Sequence, residues 1–145
     1  MSSEVTNINE HKVVLPTWLD TLIFNDLSAN YCRQNKDMVV LEWNFDDIKK
    51  YLGTYFPRSY AESFCIFSNF FSKEKYVYEN CQELSIFDFG CGTGGELIGF
   101  IIAVTKQLPN IKKITIRALD GNSYALKCLE CILEKTAQVL CLDIE

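Results

Sequence analysis

The sequence has few residues of several types and lacks long apolar runs, and these absences exclude some classes of protein. It contains one histidine, three prolines and two methionines among 145 residues. With His11 as the only imidazole, well-spaced ligands for a tetrahedral zinc site are absent, so we expect no metal. The longest apolar run, Leu97 to Val104, is too short to span a bilayer. The opening residues, Met1 to Val5, do not resemble a signal peptide.

The charge balance is acidic. Lysine and arginine total 14 against 19 for aspartate and glutamate, which gives a net charge of −5 and a pI near 4.9. This charge repels nucleic acid at long range, so nucleic acid is not an expected partner. Hydrophobic residues make up 48% and aromatic residues 13%, which is typical of a folded globular chain.

Seven cysteines show no disulfide framework, because their number is odd and their spacing irregular. The one close pair, Cys128 and Cys131, lies in a helical pattern without a second pair to complete a metal site. We interpret the cysteines as free, mostly buried thiols and expect a cytoplasmic protein.

Residues 1–82 have the pattern of an N-terminal helical segment. We predict a helix from Pro16 to about Arg33, a second from Asn44 to Gly53 and a third after Pro57. The segment from Met38 to Trp43 fits a short strand or part of a helix. Aromatic residues of the third helix recur at helical spacing and are expected in the core. They are Tyr60, Phe64, Phe67 and Phe71.

Residues 83–145 alternate strands and helices. The predicted strands are Leu84–Phe89, Ile111–Leu119 and Val139–Asp143, and the predicted helices are Glu96–Leu108 and a helix from Asn122 or Ser123 to about Lys135. This order implies right-handed crossovers and a parallel sheet. We therefore predict an α/β fold in which a helical segment precedes a partial Rossmann-like sheet of two or three strands.

The most informative stretch runs from Asp88 to Gly95 and reads DFGCGTGG. It ends a strand, forms a glycine-rich turn and opens a helix, as a backbone does where a ligand approaches closely. Asp120 ends the next strand and is expected beside this turn. A carboxylate there can accept hydrogen bonds from both hydroxyls of an adenosine ribose.

These residues resemble the first motif of class I S-adenosylmethionine-dependent methyltransferases, an acid followed after one residue by Gly-x-Gly-x-Gly. The resemblance covers about residues 84–143 and implies that the chain binds S-adenosylmethionine. It also implies that Asp88 orients the amino-acid end of the cofactor, that Asp120 binds the ribose, and that Asp143 lies near the adenine. The expected cofactor-binding residues are Asp88, Gly90, Cys91, Gly92, Thr93, Gly94, Asp120, Gly121 and Asn122. The helices ahead of the motif, with the segment Arg58 to Glu62, are distantly similar to methyltransferases associated with the mitochondrial small ribosomal subunit.

Other interpretations stay open at this point. Gly90, Gly92 and Gly95 also satisfy the Gly-x-Gly-x-x-Gly pattern of dinucleotide-binding folds, and a purely structural turn is a further alternative. The carboxylate of Asp88 disfavours a pyrophosphate and favours the cationic methyl donor. Arg58 and Tyr60 are further residues that can reach a cofactor from the N-terminal segment.

The resemblance extends to the cofactor half of the family's fold, and no motif for the methyl acceptor follows it. We therefore name no catalytic residue. The first strand, with Ile86 and Phe87, is expected at a sheet edge that the N-terminal helices, a second copy of the chain or a protein partner covers. The alternative function is a non-enzymatic interaction module that retains a methyltransferase-like half-fold.

Overall fold

The computed structural model describes Ile8 and Asn9, residues 12–33 and residues 44–145. His11 and the segment from Met38 to Trp43 lie outside the described residues. The helices are α1 (Thr17–Thr21), a π-helical turn (Leu22–Asp26), α2 (Phe45–Glu74), a 3-10 turn (Lys75–Tyr78), α3 (Gly95–Gln107) and α4 (Ser123–Leu140). The strands are β1 (Ile8–Asn9), β2 (Lys12–Val13), β3 (Glu83–Phe89), β4 (Lys113–Leu119) and β5 (Asp143–Ile144).

The first helical region is shorter than its hydrophobic spacing predicts. It ends at Asp26, so the predicted extension to Arg33 is wrong. Ser28 has a left-handed backbone with φ of 54°, which turns the chain out of the helix. The N–H of Asn30 then donates to the carbonyl of Lys49 at 3.1 Å, so contact with α2 replaces helix continuation.

A single 30-residue helix, α2, replaces the two predicted helices, so the predicted break between Gly53 and Pro57 is wrong. The predicted cap is correct, since the Asn44 side chain accepts from the N–H groups of Asp46 and Asp47. A Cβ on Gly53 would lie 2.5 Å from the backbone of Asn30, so this glycine permits a close approach rather than ending the helix.

The α/β expectation is confirmed at the level of architecture. Strands β3, β4 and β5 form a three-stranded parallel sheet in that order, with Asp88 beside Ala118 and Lys113 beside Asp143. Helices α3 and α4 connect the strands, as in a partial Rossmann-like arrangement. The third strand starts at Asp143, later than predicted, because α4 continues to Leu140. Cys141 caps the end of α4 with a left-handed backbone, φ 51°.

The helix α2 packs tightly along α3. Gly99 of α3 lies against the backbone of Tyr60, and the Ser63 hydroxyl donates to the carbonyl of Glu96 at 2.6 Å. Three of the four predicted aromatic residues are buried as expected, and Phe67 is half-buried. One hydrophobic core contains residues from both predicted segments, including Phe56 and Ile101. The predicted division of the chain into two segments at residue 83 stays a prediction.

One face and one edge of the sheet are exposed in the described part of the chain. Phe87, Phe89 and Leu119 are 66%, 81% and 51% exposed, whereas Ile114 on the other face is buried. Within the same part, β3 pairs with β4 alone and is therefore an edge strand, as predicted. No helix among the described residues is long and apolar enough to cross a membrane.

Candidate functional site

The site is built where β3 ends and the chain turns into α3. Gly90, Gly92 and Gly94 have positive φ values of 78°, 52° and 83°, which side-chain-bearing residues rarely adopt. The N–H groups of Gly90 and Cys91 donate to the carbonyl of Leu119, at 2.7 and 3.1 Å. The glycine turn is thereby fixed to the end of β4.

Asp120 connects the two strand ends through its side chain. One carboxylate oxygen, Oδ2, accepts from the N–H of Gly92 at 2.8 Å, and the other, Oδ1, accepts from the N–H of Asn122 at 2.8 Å. The side chain is half-buried. The structure therefore brings Asp120 to the glycine turn, as the sequence predicts.

The segment after Asp120 starts α4. The Asn122 side chain accepts from the N–H groups of Tyr124 and Ala125, so it caps the helix and is itself buried. Gly121 lies in open space, where a Cβ would meet nothing within 4 Å. Gly121 can thus be approached from outside, whereas the Asn122 side chain is occupied by the cap.

A cavity of about 80 Å³ lies between the glycine turn and α2. Asp88, Gly90, Cys91, Thr93 and Gly94 line it from the turn. Helix α2 and the start of α3 complete its wall with residues outside the predicted site. They are Tyr51, Tyr55, Phe56, Ser59, Gly95 and Glu96.

The spacing of the α2 residues shows that they share a face, although not that this face meets the turn. Tyr51, Tyr55 and Ser59 recur every four residues and so share one helix face. The predicted break between residues 53 and 57 divided this face and hid the pattern. Tyr60, by contrast, is fully buried and stacks on Phe64, so the expectation that it reaches a cofactor is wrong.

Negative charge is concentrated in this cavity. Burial raises the pKa of Asp88, and the nearby Glu96 and Asp120 raise it further. Burial also raises the pKa of the Tyr51 phenol. The carboxylates of Asp120 and Glu96 raise it further, and Asp120 contributes more than Glu96. No lysine, arginine or histidine is among the residues that line the cavity. The site is therefore suited to a positively charged group.

Cys91 lies inside the turn but is poorly suited to nucleophilic chemistry. Burial raises the pKa of its thiol to about 11, with further contributions from Asp88 and Asp120. A thiol with this pKa is almost entirely protonated at neutral pH, and the thiolate is the reactive form. Among the described residues, no group of three or more His, Cys, Asp or Glu side chains is arranged to hold a metal ion.

The structure separates Asp143 from the other predicted residues. Asp143 pairs with Lys113 at the start of β4, whereas Asp120 follows the end of the same strand. The seven residues of β4 make six steps of about 3.3 Å, so its two ends are roughly 20 Å apart. The expectation that Asp143 lies near a bound adenine is therefore wrong.

A search of protein-family models, curated proteins and solved structures finds no match to this chain. The local geometry is thus the basis for assigning a function.

Proposed function

We propose that this chain binds S-adenosylmethionine at the glycine turn and is related in function to class I methyltransferases. The observation that carries the proposal is the position of Asp120, which follows the second strand and hydrogen-bonds to the turn that follows the first. An acid at this place beside a Gly-x-Gly-x-Gly turn is what a nucleoside site requires.

The hydrogen bonds of Asp120 leave capacity for a ribose. A carboxylate offers about four lone-pair sites, and the backbone N–H groups of Gly92 and Asn122 occupy one on each oxygen. The second site on each oxygen is available to accept from a ribose hydroxyl. Both oxygens thus have a fixed orientation before the ligand binds.

The cavity charge favours this ligand over a dinucleotide. S-adenosylmethionine carries a sulfonium and an ammonium group against one carboxylate, so its net charge is positive and the carboxylates of Asp88 and Glu96 attract its two cationic groups. A pyrophosphate would be repelled by the same carboxylates, and no cationic side chain in the cavity lining offsets them.

The cavity size indicates which part of the ligand would lie inside the cavity and which part outside it. About 80 Å³ is well below the roughly 300–1,000 Å³ of a complete small-molecule site. It suits the amino-acid end of the ligand, near Asp88. The nucleoside would lie on the open surface formed by Gly90 and Gly121, where no atom lies within 4 Å of an added Cβ.

The proposal is limited to the donor side of the reaction. When bound, the cofactor would supply the methyl group, and the residues of this chain would bind and orient it. We assign no catalytic residue and no acceptor.

All seven cysteines are free thiols, which supports a reducing compartment such as the cytoplasm.

Calorimetric titration of S-adenosylmethionine and S-adenosylhomocysteine into the purified chain tests the proposal. We expect micromolar binding that Asp88→Asn and Asp120→Asn each weaken by about tenfold or more, since each removes a charged partner of the ligand. Asp143→Asn is the matched control, because it removes an acid at the other end of the sheet and should leave binding unchanged.

Two results would overturn the proposal. One is the absence of binding to a folded wild-type chain, established by circular dichroism on the same sample. The other is tighter binding of NAD than of S-adenosylmethionine, which would assign the turn to a dinucleotide.

A second candidate function is supported by a different observation. Phe87 and Phe89 are largely exposed on the sheet face that the described residues leave open, next to the β3 edge, and exposed apolar patches are typical of interaction surfaces. A partner-binding module that does not use the cofactor would explain this surface. Association with a partner without cofactor binding would favour it.

A further inference from the structure

A groove of about 340 Å³ runs along the edge of β3 that pairs with no other described strand, between β3 and helices α2 and α3. Ile66, Phe67, Phe87 and Phe100 are prominent in its apolar lining. Ile66 on α2 and Phe87 on the open face of the sheet are 64% and 66% exposed, which is unusual for large apolar side chains. We call this feature the β3 groove.

The β3 groove has an acidic end. Glu62, Asp88 and Glu96 are among its lining residues, and none of the lining residues is a lysine, arginine or histidine. Arg58 compensates Glu62 through a hydrogen bond of 2.9 Å. Asp88 and Glu96 also line the cavity at the glycine turn, so the acidic end of the groove adjoins the proposed cofactor site.

The shape and the charge together identify the occupant. We infer that the β3 groove binds an extended apolar segment of another protein, which adds a strand to β3 and places a basic side chain beside Asp88 and Glu96. An edge strand presents backbone N–H and C=O groups for such pairing, and apolar side chains at alternate positions fill the groove. The inference does not require the proposed function, and the basic side chain would share Asp88 and Glu96 with the cofactor.

The charge argues against a second copy of this chain as the occupant. A two-fold pairing of β3 with its copy is antiparallel, so the acidic end of one groove faces the partner's β3 strand, whose sequence, ELSIFDF, contains no lysine or arginine. A second copy therefore brings no basic side chain to Asp88 and Glu96 through this strand, which disfavours the pairing. A net charge of −5 on each copy acts in the same direction.

A selection from phage-displayed random 12-residue peptides on the immobilised full chain tests the inference. We expect peptides with apolar residues at alternate positions and one lysine or arginine. The selected peptides are then synthesised and titrated by fluorescence anisotropy. Phe87→Thr should weaken their binding by about tenfold or more, because it removes the apolar side chain that an added strand would pack against on the open face of the sheet, while keeping a residue that favours strands.

Three further measurements make the test specific. Glu96→Gln, or replacement of the peptide's basic residue by norleucine, should weaken binding about three- to tenfold, and added salt should reduce this difference. Methylation of alternate backbone nitrogens in the peptide should weaken binding if the segment pairs as a strand. Tyr31→Thr is the matched control, since it removes an aromatic residue that is 71% exposed but does not line the groove.

Several outcomes would overturn the inference. One is that the selection enriches acidic peptides. Another is that the wild-type chain enriches peptides no more than the Phe87→Thr variant does. A third is that the selected peptides bind the wild type and Phe87→Thr with equal affinity. A dimer in light scattering that Phe87→Thr converts to a monomer would show that a second copy occupies the groove. If Phe87→Thr does not fold, Ile66→Thr on the exposed side of α2 replaces it in each comparison.

Discussion

The carboxylate of Asp120 accepts a hydrogen bond from the backbone N–H of Gly92 at 2.8 Å, across 28 positions of the sequence. This bond joins the ends of two neighbouring parallel strands and holds the glycine turn against β4. The other carboxylate oxygen of Asp120 accepts from the backbone N–H of Asn122, the residue that caps α4. A single side chain thus fixes the entry to two helices and provides the acid of the proposed ribose site.

We expect Asp120→Asn to destabilise the fold as well as weaken cofactor binding. An amide has one acceptor oxygen, so either the Gly92 or the Asn122 N–H would face the NH2 group instead. The loss of one such bond to a charged group costs about 1.5–3 kcal/mol, and partial exposure places the expected value near the lower end. Urea denaturation of the variant measures this change, with Asp143→Asn as the control. An unchanged midpoint would show that the two bonds contribute nothing to stability.

Asp88→Asn should make the chain more stable while it weakens cofactor binding. Because the pKa of Asp88 is raised in the fold, the native carboxyl holds its proton to higher pH than the unfolded one. The native state therefore binds more protons just above the ordinary aspartate pKa, and stability falls as pH rises through that window. Asparagine removes this cost at neutral pH.

Thermal melts at pH 7 and near pH 4 measure this effect. We expect Asp88→Asn to raise the melting temperature at pH 7 by a few degrees, on the order of 2–4 °C, since water screens part of the repulsion. The gain should shrink near pH 4, where the wild-type carboxyl is partly protonated. A lower melting temperature at pH 7 would contradict the destabilising role of this charge.

Gly99→Ala should destabilise the packing of α2 on α3. The added Cβ would meet the carbonyl oxygen of Tyr60 and lie 3.0 Å from the backbone nitrogen of Phe64. Overpacking costs about 1–3 kcal/mol, and the contact with rigid backbone puts this case near the top of that range. Alanine recovers roughly 1 kcal/mol through its higher helix propensity, so a net loss of about 1–2 kcal/mol is expected.

Gly121→Ala provides the comparison for this prediction. No atom lies within 4 Å of a Cβ at Gly121, and its φ is outside the positive range, so alanine should be tolerated there. Urea denaturation of both variants compares the two positions. Equal stability of Gly99→Ala and wild type would show that the two helices separate without cost.

Cys91 should react with iodoacetamide more slowly than the exposed cysteines. Its thiol has a pKa of about 11 and is half-buried, whereas Cys65 and Cys141 are exposed. At pH 8 we expect mass spectrometry to detect labelling of the two exposed cysteines well before labelling of Cys91. Faster labelling of Cys91 would indicate a thiolate in the turn and would reopen a nucleophilic role.

The helical break between Gly53 and Pro57 shows where local signals fail. Both residues ordinarily end helices, and in isolation they predict two short ones. In the fold Gly53 provides space for the backbone of Asn30, and the burial of Phe56 and Tyr60 holds the helix together through the proline. Tertiary contacts of this kind are not encoded in the spacing of the helix itself.

The sequence by itself determined the order of strands and helices after residue 83, the glycine turn and the acid after the second strand. These features depend on short-range patterns, namely the period of apolar residues and the backbone freedom of glycine. Tertiary structure decided which acids share the site. Parallel register brought Asp120 to Gly92 and put Asp143 at the opposite end of β4, because pairing depends on how neighbouring strands align. The contribution of Tyr51 and Ser59 likewise arose only when α2 packed against the turn, since no local pattern specifies which helix face meets a distant loop.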